Sequence, residues 1–294
     1  MNAKTIPDFN ETKTKYDAGF KNFEIQLIHE FLSKEEYLET KKIINELNVD
    51  ISVVHTPLVN GVFDEISLDN LMYEDFYNMF DDTCKYSQWI AEIENKRIKV
   101  VIHNTFSKNL WDETNLIETN IGPKVKSVLD KYSRVDLVIE NSTSLGACGF
   151  KTIVDLNDVS YTVKELNKFI GNRAKTLIDT CHNMMNAKTW ERALAKKITI
   201  DWDDKFAKAS NGIEIGLIHL NNMWVDGIDK DHGMPFDYNH KGDIEKLKQI
   251  MNAYDKYANC EISIEVRENS YSKPPYNLLK TKECLKRIGY EQIF

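Results

Sequence analysis

Val135-Asp136-Leu137-Val138-Ile139-Glu140-Asn141 is apolar through its middle, shows no strict polar–apolar alternation, and ends in a carboxylate. A strand with one face in water alternates, whereas a strand covered on both faces of a parallel sheet does not. Other short β-rich runs recur at Asn22–Leu27, Asp50–His55, Ile98–His103, Thr176–Thr180, Gly212–His219 and Cys260–Val266. Ala3–Ile6 is a weaker first run, which brings the total to eight.

Charged segments with helical spacing separate these runs. Ser33-Lys34-Glu35-Glu36 reads as a capping box opening a helix with Tyr37, Ile44 and Leu47 on one face. Thr162-Val163-Lys164-Glu165 reads as a second box, followed by Leu166, Phe169 and Ile170. Asp243 reads as the cap of a helix carrying Ile244, Leu247, Met251 and Tyr254. Strands alternating with helices over 294 residues predict an α/β fold, a (β/α)8 TIM barrel forming a single domain, 1–294. An open doubly wound sheet is the alternative. No Gly-rich turn follows the first strand, so a dinucleotide fold has no support.

Composition narrows the chemistry. Hydrophobic residues at 42% and charged residues at 29% are ordinary for a soluble globular protein. No apolar run approaches the roughly 18 residues of a membrane span, and Met1–Pro7 carries no signal-peptide pattern, so a cytoplasmic protein is expected. Cys84, Cys148, Cys181, Cys260 and Cys284 are scattered and form no C-x-x-C pair. That argues against a disulfide framework and a thiolate zinc knuckle, and leaves His, Asp and Glu as the available metal ligands. A net charge of −8 gives no support for broad nucleic-acid binding, although a local metal-lined groove is compatible with it.

The ends of the runs carry the functional signal. His55, His103, Glu140, Asp179 with His182, His219 and Glu265 stand where successive strands finish, and the loop after His219 adds Asp229, Asp231 and His232. In a (β/α) barrel all C-terminal strand ends point at one mouth, so these residues converge. Each histidine taken alone is more often a structural one; their coincidence is what needs explaining. That many ionisable groups together are costly without compensation, and divalent cations supply it. The acidic stretch Asp64–Asp82, with Met72, Phe76, Met79 and Phe80, reads instead as an amphipathic segment on the rim.

At these positions the sequence resembles the xylose isomerase-like barrels, the AP endonuclease 2 family, from about Phe23 to Val266. Asp179-Thr180-Cys181-His182 is similar to the D-T-C-H of the endonuclease IV branch, and His219-Leu220-Asn221-Asn222 to its H-L-N-D. Glu140-Asn141 with Gly146 resembles E-N-T-A-G-Q-G, and Asp231-His232 falls where that branch has D-x-H. The first-strand G-A-H-V-S and the N-P-R-x-W DNA loop have no counterpart, and the Asn after the first ligand His comes one residue early, at Asn60.

The resemblance implies two to three metal ions, zinc first. Glu140 would bridge two of them, His55 and His103 would complete one site, and Asp179, His219 and Glu265 the second. His182 with Asp231 and His232 would hold a third. The implied reaction is phosphodiester cleavage by a metal-bridging hydroxide, with Glu140 and Glu265 as catalytic residues and Asn141 and Asn221 contacting substrate. The alternative is a sugar or sugar-phosphate isomerase or epimerase, using one Mn2+ or Mg2+ and Glu140 and Glu265 as an acid/base pair. A non-catalytic metal- or sugar-binding barrel is a third reading. The expected partner is a small sugar-like or phosphoester substrate; DNA is compatible with the motifs but unsupported by the charge.

Overall fold

The structure, a computed structural model, describes residues 1–294 except 60–63, 144–154, 227–228, 269–272 and 294; at 58–59, 64–65, 225–226, 229–231 and 293 it describes the backbone alone. The barrel strands are β1 (Asn2–Thr5), β2 (Asn22–Gln26), β3 (Asp50–His55), β4 (Ile98–Asn104), β5 (Val135–Asn141), β6 (Ala174–Asp179), β7 (Ile215–Leu220) and β8 (Glu261–Ile264). Each pairs in parallel with its neighbour in the chain, and β8 returns to β1, with Asn2 opposite Ser263 and Ala3 opposite Ile264. That last pairing closes the barrel and excludes the open sheet. The weak first run is a true strand.

The helices are α1 (Phe9–Asp17), α2 (Lys34–Leu47), α3 (Glu74–Ile93), α4 (Lys108–Thr114), α5 (Gly122–Lys131), α6 (Leu156–Ile170), α7 (Thr180–Leu194), α8 (Trp202–Ala209), α9 (Asp243–Tyr257) and α10 (Tyr276–Arg287). After β7 the chain makes an antiparallel hairpin, Asn222–Asp226 with Asp229–Met234.

The core lies in two zones. Helices pack on the outside of the strands through two large apolar clusters. Inside the barrel, Val53, Val101, Val138, Leu177 and Leu217 form a fully buried layer, one residue from each of β3 to β7. Side chains alternate across a strand with a period of two. Two residues beyond each of these five stand His55, His103, Glu140, Asp179 and His219. The apolar layer is therefore the floor of the site, and its register decides which residues face the mouth. Gly216 keeps this interior closed, because a Cβ there would come 2.8 Å from Lys175 Cβ and 2.9 Å from Val138 Cγ1.

Several local expectations hold and several shift. The Ser33/Glu36 box opens α2, with the Glu36 amide donating to Ser33 Oγ at 3.2 Å and the Ser33 amide donating to Glu36 Oε2 at 2.7 Å. Thr162–Glu165 is not a helix start. It lies inside α6, which opens at Asp155 with a box closed by Asp158, and Thr162 is buried. Asp243 is the first residue of α9 rather than its cap, since Gly242 at φ 89° takes that place. The Asp243 carboxylate instead accepts from Asn222 Nδ2 at 2.9 Å and from the Asp237 amide at 3.2 Å. The seventh run starts late, at Ile215, because Gly212 at φ 73° belongs to the preceding turn. The Asp64–Asp82 stretch leads into α3 and buries Met79 and Phe80.

Candidate metal centre

The register of the barrel brings most of the expected residues to one place. His55 ends β3, His103 is the last residue but one of β4, and both come together with Glu140 of β5; one ligand atom from each lies within 4.8 Å of the others. Glu140, Asp179, His219 and Glu265 form a second such set, and Asp179, His182 and His232 a third. His55, His103, Glu140, Asp179, His182 and His219 are all buried. His182 is not on a strand; it sits in the first turn of α7, and His232 comes from the hairpin. The side chain of Asp231 and residues Asn60 and Gly146 lie outside the described residues.

Hydrogen bonds fix which atom each imidazole presents. His55 Nδ1 lies 2.9 Å from the Thr56 carbonyl oxygen and His182 Nδ1 2.6 Å from that of Asn141. A carbonyl oxygen only accepts, so Nδ1 carries the proton in both rings and Nε2 keeps the lone pair. His219 is held the other way round. Its Nε2 lies 3.1 Å from Glu24 Oε2, while Nδ1 faces Glu140 Oε1 at 3.1 Å and Glu265 Oε2 at 2.8 Å.

This arrangement fits divalent metal. Glu140 Oε2 lies 3.3 Å from Nε2 of both His55 and His103. Among the described residues it is a buried oxygen with no hydrogen-bond donor, as is Glu265 Oε2. For His55 the lone pair and the carboxylate oxygen are two acceptors face to face with no proton between them. Buried acceptors left in this state are costly, and a cation between them removes the cost. The mixture of imidazole and carboxylate donors is one that zinc accepts.

The electrostatics point the same way. Burial pushes the His219 imidazole down, but Glu24, Glu140 and Glu265 overcome it and raise its pKa well above the usual value. Burial raises the carboxyl of Glu140, yet His219 and His103 hold it well below the ordinary range; Glu265 is held low by Lys4 and His219 against the same opposition. Asp179 goes the other way, pushed up by burial and by Glu140 and Glu265, with His182 opposing. Protons thus hold together a cluster that dications would hold when bound, and metal binding would release the His219 proton.

Asn141 and Asn221, expected as substrate contacts, direct their amides at Asp179. Asn141 Oδ1 accepts from the Asp179 amide at 2.8 Å, and Asn221 Nδ2 donates to Asp179 Oδ2 at 2.8 Å. Asn221 Oδ1 also accepts from the Cys181 amide at 2.8 Å.

Two residues at the mouth were not foreseen. Glu24 on β2 is fully buried, and Lys4 on β1 reaches Glu265 Oε1 at 2.7 Å and Glu24 Oε1 at 3.5 Å. The signal was present: Glu24 and Lys4 are charges inside two of the runs read as buried strands.

The model of the xylose isomerase-like TIM barrel family matches residues 16–288. The chain belongs to that family. Among solved structures, an AP endonuclease, family 2, from Brucella melitensis is similar at TM-score 0.57 and 14% identity, over 94% of this chain and 95% of that one. A sugar phosphate isomerase/epimerase from Parabacteroides distasonis is similar at TM-score 0.52 and 11% identity, over 95% and 91%. A xylose isomerase-like TIM barrel/4-hydroxyphenylpyruvate dioxygenase fusion protein is similar at TM-score 0.51 and 12% identity; the match takes in 98% of this chain and 44% of that protein, so this chain spans less than half its length. At such identities the likeness is one of fold. No curated protein matches the chain. Xylose isomerase-like barrels include both endonucleases and isomerases or epimerases, so family membership leaves the reaction open. Among the described residues, no helix is long and apolar enough to cross a membrane.

Proposed function

We propose that this xylose isomerase-like barrel is a metal-dependent phosphodiesterase, with zinc as its ion. The observation that carries the reading is that Glu140 belongs to two ligand sets at once, one with His55 and His103 and one with Asp179, His219 and Glu265. A carboxylate with one oxygen toward each set is what a pair of ions needs as a bridge. When bound, the ions would act as Lewis acids on a phosphoryl oxygen and bring the pKa of water toward neutrality.

The chain's own residues would then do the following. Glu265 has one oxygen held by Lys4 and offers the other to the second ligand set, beside the attacking water that it would orient. His182 and His232 with Asp179 form the third set, where Asp231 is a further candidate ligand, and would face the leaving oxygen. Asn141 braces the Asp179 backbone and Asn221 holds its carboxylate in place. The net charge of −8 favours a substrate gripped locally at its phosphoester over a long nucleic-acid contact.

A second reading is a sugar or sugar-phosphate isomerase or epimerase with a single Mn2+ or Mg2+. It is supported by the four-residue set alone, in which Glu140 and Glu265 both approach His219 Nδ1 and would serve as the acid/base pair. His55 and His103 are then surplus to the chemistry. The two readings part in the double variant His55→Ala/His103→Ala. The phosphodiesterase should lose one zinc per chain and at least about 10³-fold in rate on bis(p-nitrophenyl) phosphate and an abasic-site oligonucleotide. Unchanged diester cleavage by that variant would sink the two-ion reading. Turnover of a ketose panel by the wild type, retained in the variant, would establish the isomerase.

A further inference from the structure

We infer that Lys4 and Glu24 are positioning residues, which hold His219 and Glu265 in the orientation where each offers one atom to a metal. The inference rests on the ligand set of the proposed function, though not on which substrate is turned over.

Four side chains close a ring. Lys4 stands opposite Glu24 in the β1–β2 register. Its ammonium lies 2.7 Å from Glu265 Oε1 and 3.5 Å from Glu24 Oε1. The remaining oxygens turn to the imidazole: Glu24 Oε2 is 3.1 Å from His219 Nε2, and Glu265 Oε2 is 2.8 Å from Nδ1. One cation therefore takes one oxygen of each carboxylate, and one ring takes the other.

Each contact has a consequence for ligation. Glu24 holds one proton of His219 on Nε2, so the proton that metal binding would release is the one on Nδ1, and the lone pair left there points among Glu140, Asp179 and Glu265. Lys4 occupies Glu265 Oε1, so that carboxylate presents only Oε2. Outer contacts of this kind set the tautomer and rotamer of a metal ligand. The ring is itself anchored, because Lys15 Nζ donates to the Lys4 carbonyl at 2.6 Å and ties β1 to α1. Stability alone does not account for these two charges, since a buried ion pair contributes little beside a well-packed apolar pair.

The test is stepwise zinc release to a competing chelator from the full-length zinc-loaded protein. Wild type, Glu24→Gln, Lys4→Met and Lys4→Arg are compared, with circular dichroism and a thermal melt as controls of folding. In Glu24→Gln one zinc should weaken about 10–100-fold while the others hold. In Lys4→Met the same zinc should weaken. The sign decides here, because deleting a positive charge beside a dication would by Coulomb's law alone tighten its binding. Lys4→Arg keeps the charge and should restore most of the affinity. Zinc bound as tightly as in wild type, or more tightly, in both Lys4→Met and Glu24→Gln would overturn the inference, as would an equal weakening of every zinc. Should Lys4→Met fail to fold, Glu24→Gln is nearly isosteric and decides alone. A wild type that takes up no zinc would defeat the proposed function itself, an outcome separate from the failure of the variants.

Discussion

Two imidazoles at the mouth are pinned in opposite senses. His55 gives its Nδ1 proton to the Thr56 carbonyl and presents Nε2, whereas His219 gives its Nε2 proton to Glu24 and presents Nδ1. The sequence shows both as histidines ending apolar runs, and nothing in the runs distinguishes them. The difference comes from what lies behind each ring, a neighbouring carbonyl in one case and a carboxylate 195 residues away in the other. Glu24 titrates at about 2 when folded against an ordinary 4.5. A depressed carboxyl stabilises the fold above its unfolded pKa, and that contribution fades as pH falls through the folded one. In metal-free protein, urea midpoints followed from pH 5 to pH 2.5 should therefore fall more steeply for wild type than for Glu24→Gln. Parallel curves would show that Glu24 is not held in its charged form.

Among the elements, α7 joins folding to the site most directly. Asp179 ends β6 and caps α7, accepting from the His182 amide at 2.6 Å. The same carboxylate belongs to two ligand sets. Asp179→Ala should destabilise the metal-free protein by about 1 kcal/mol, the usual cost of losing a cap, and should also reduce the zinc count. Ser33→Ala, at the cap of α2, should match that stability loss and leave zinc content unchanged. Chemical denaturation and elemental analysis on the two variants together separate capping from ligation. The elements also show where sequence reading succeeds. The Ser33 box was legible because a capping serine and its glutamate partner stand at the boundary of an apolar pattern. Thr162 mimicked that signal inside a helix that begins at Asp155, where the preceding residues 144–154 offer no periodic pattern to mark the start. Asp243 looked like a cap because local spacing cannot show that its carboxylate serves Asn222 and the Asp237 amide.

At the scale of the whole molecule, the barrel was legible in the apolar runs and the ligands in their ends, since the strand period of two fixes both once the floor layer is placed. Lys4 and Glu24 were less legible, because a charge in a buried strand has meaning only through neighbours that closure supplies. The second ligand set draws on β5, β6, β7 and the residue following β8, so a bound ion crosslinks half the ring. Stripping metal with EDTA should lower the melting temperature by on the order of 5 °C, a shift expected when a ligand present at about 100 times its dissociation constant is withdrawn. Calorimetry before and after reloading with zinc checks this; an unchanged melt would mean that the ions contribute nothing to the closed ring.

The contact between Lys4 and Glu265 joins residues 261 positions apart. A ribosome making this chain exposes the lysine 261 residues before the glutamate. During synthesis the nascent barrel can gather its histidines, but it cannot assemble the His219 set until the eighth strand has emerged and zipped against the first. Any loading of that set would thus follow closure of the barrel. A polypeptide released before residue 265 would lack one ligand of that set, so an ion held by all four residues would report that the barrel has closed.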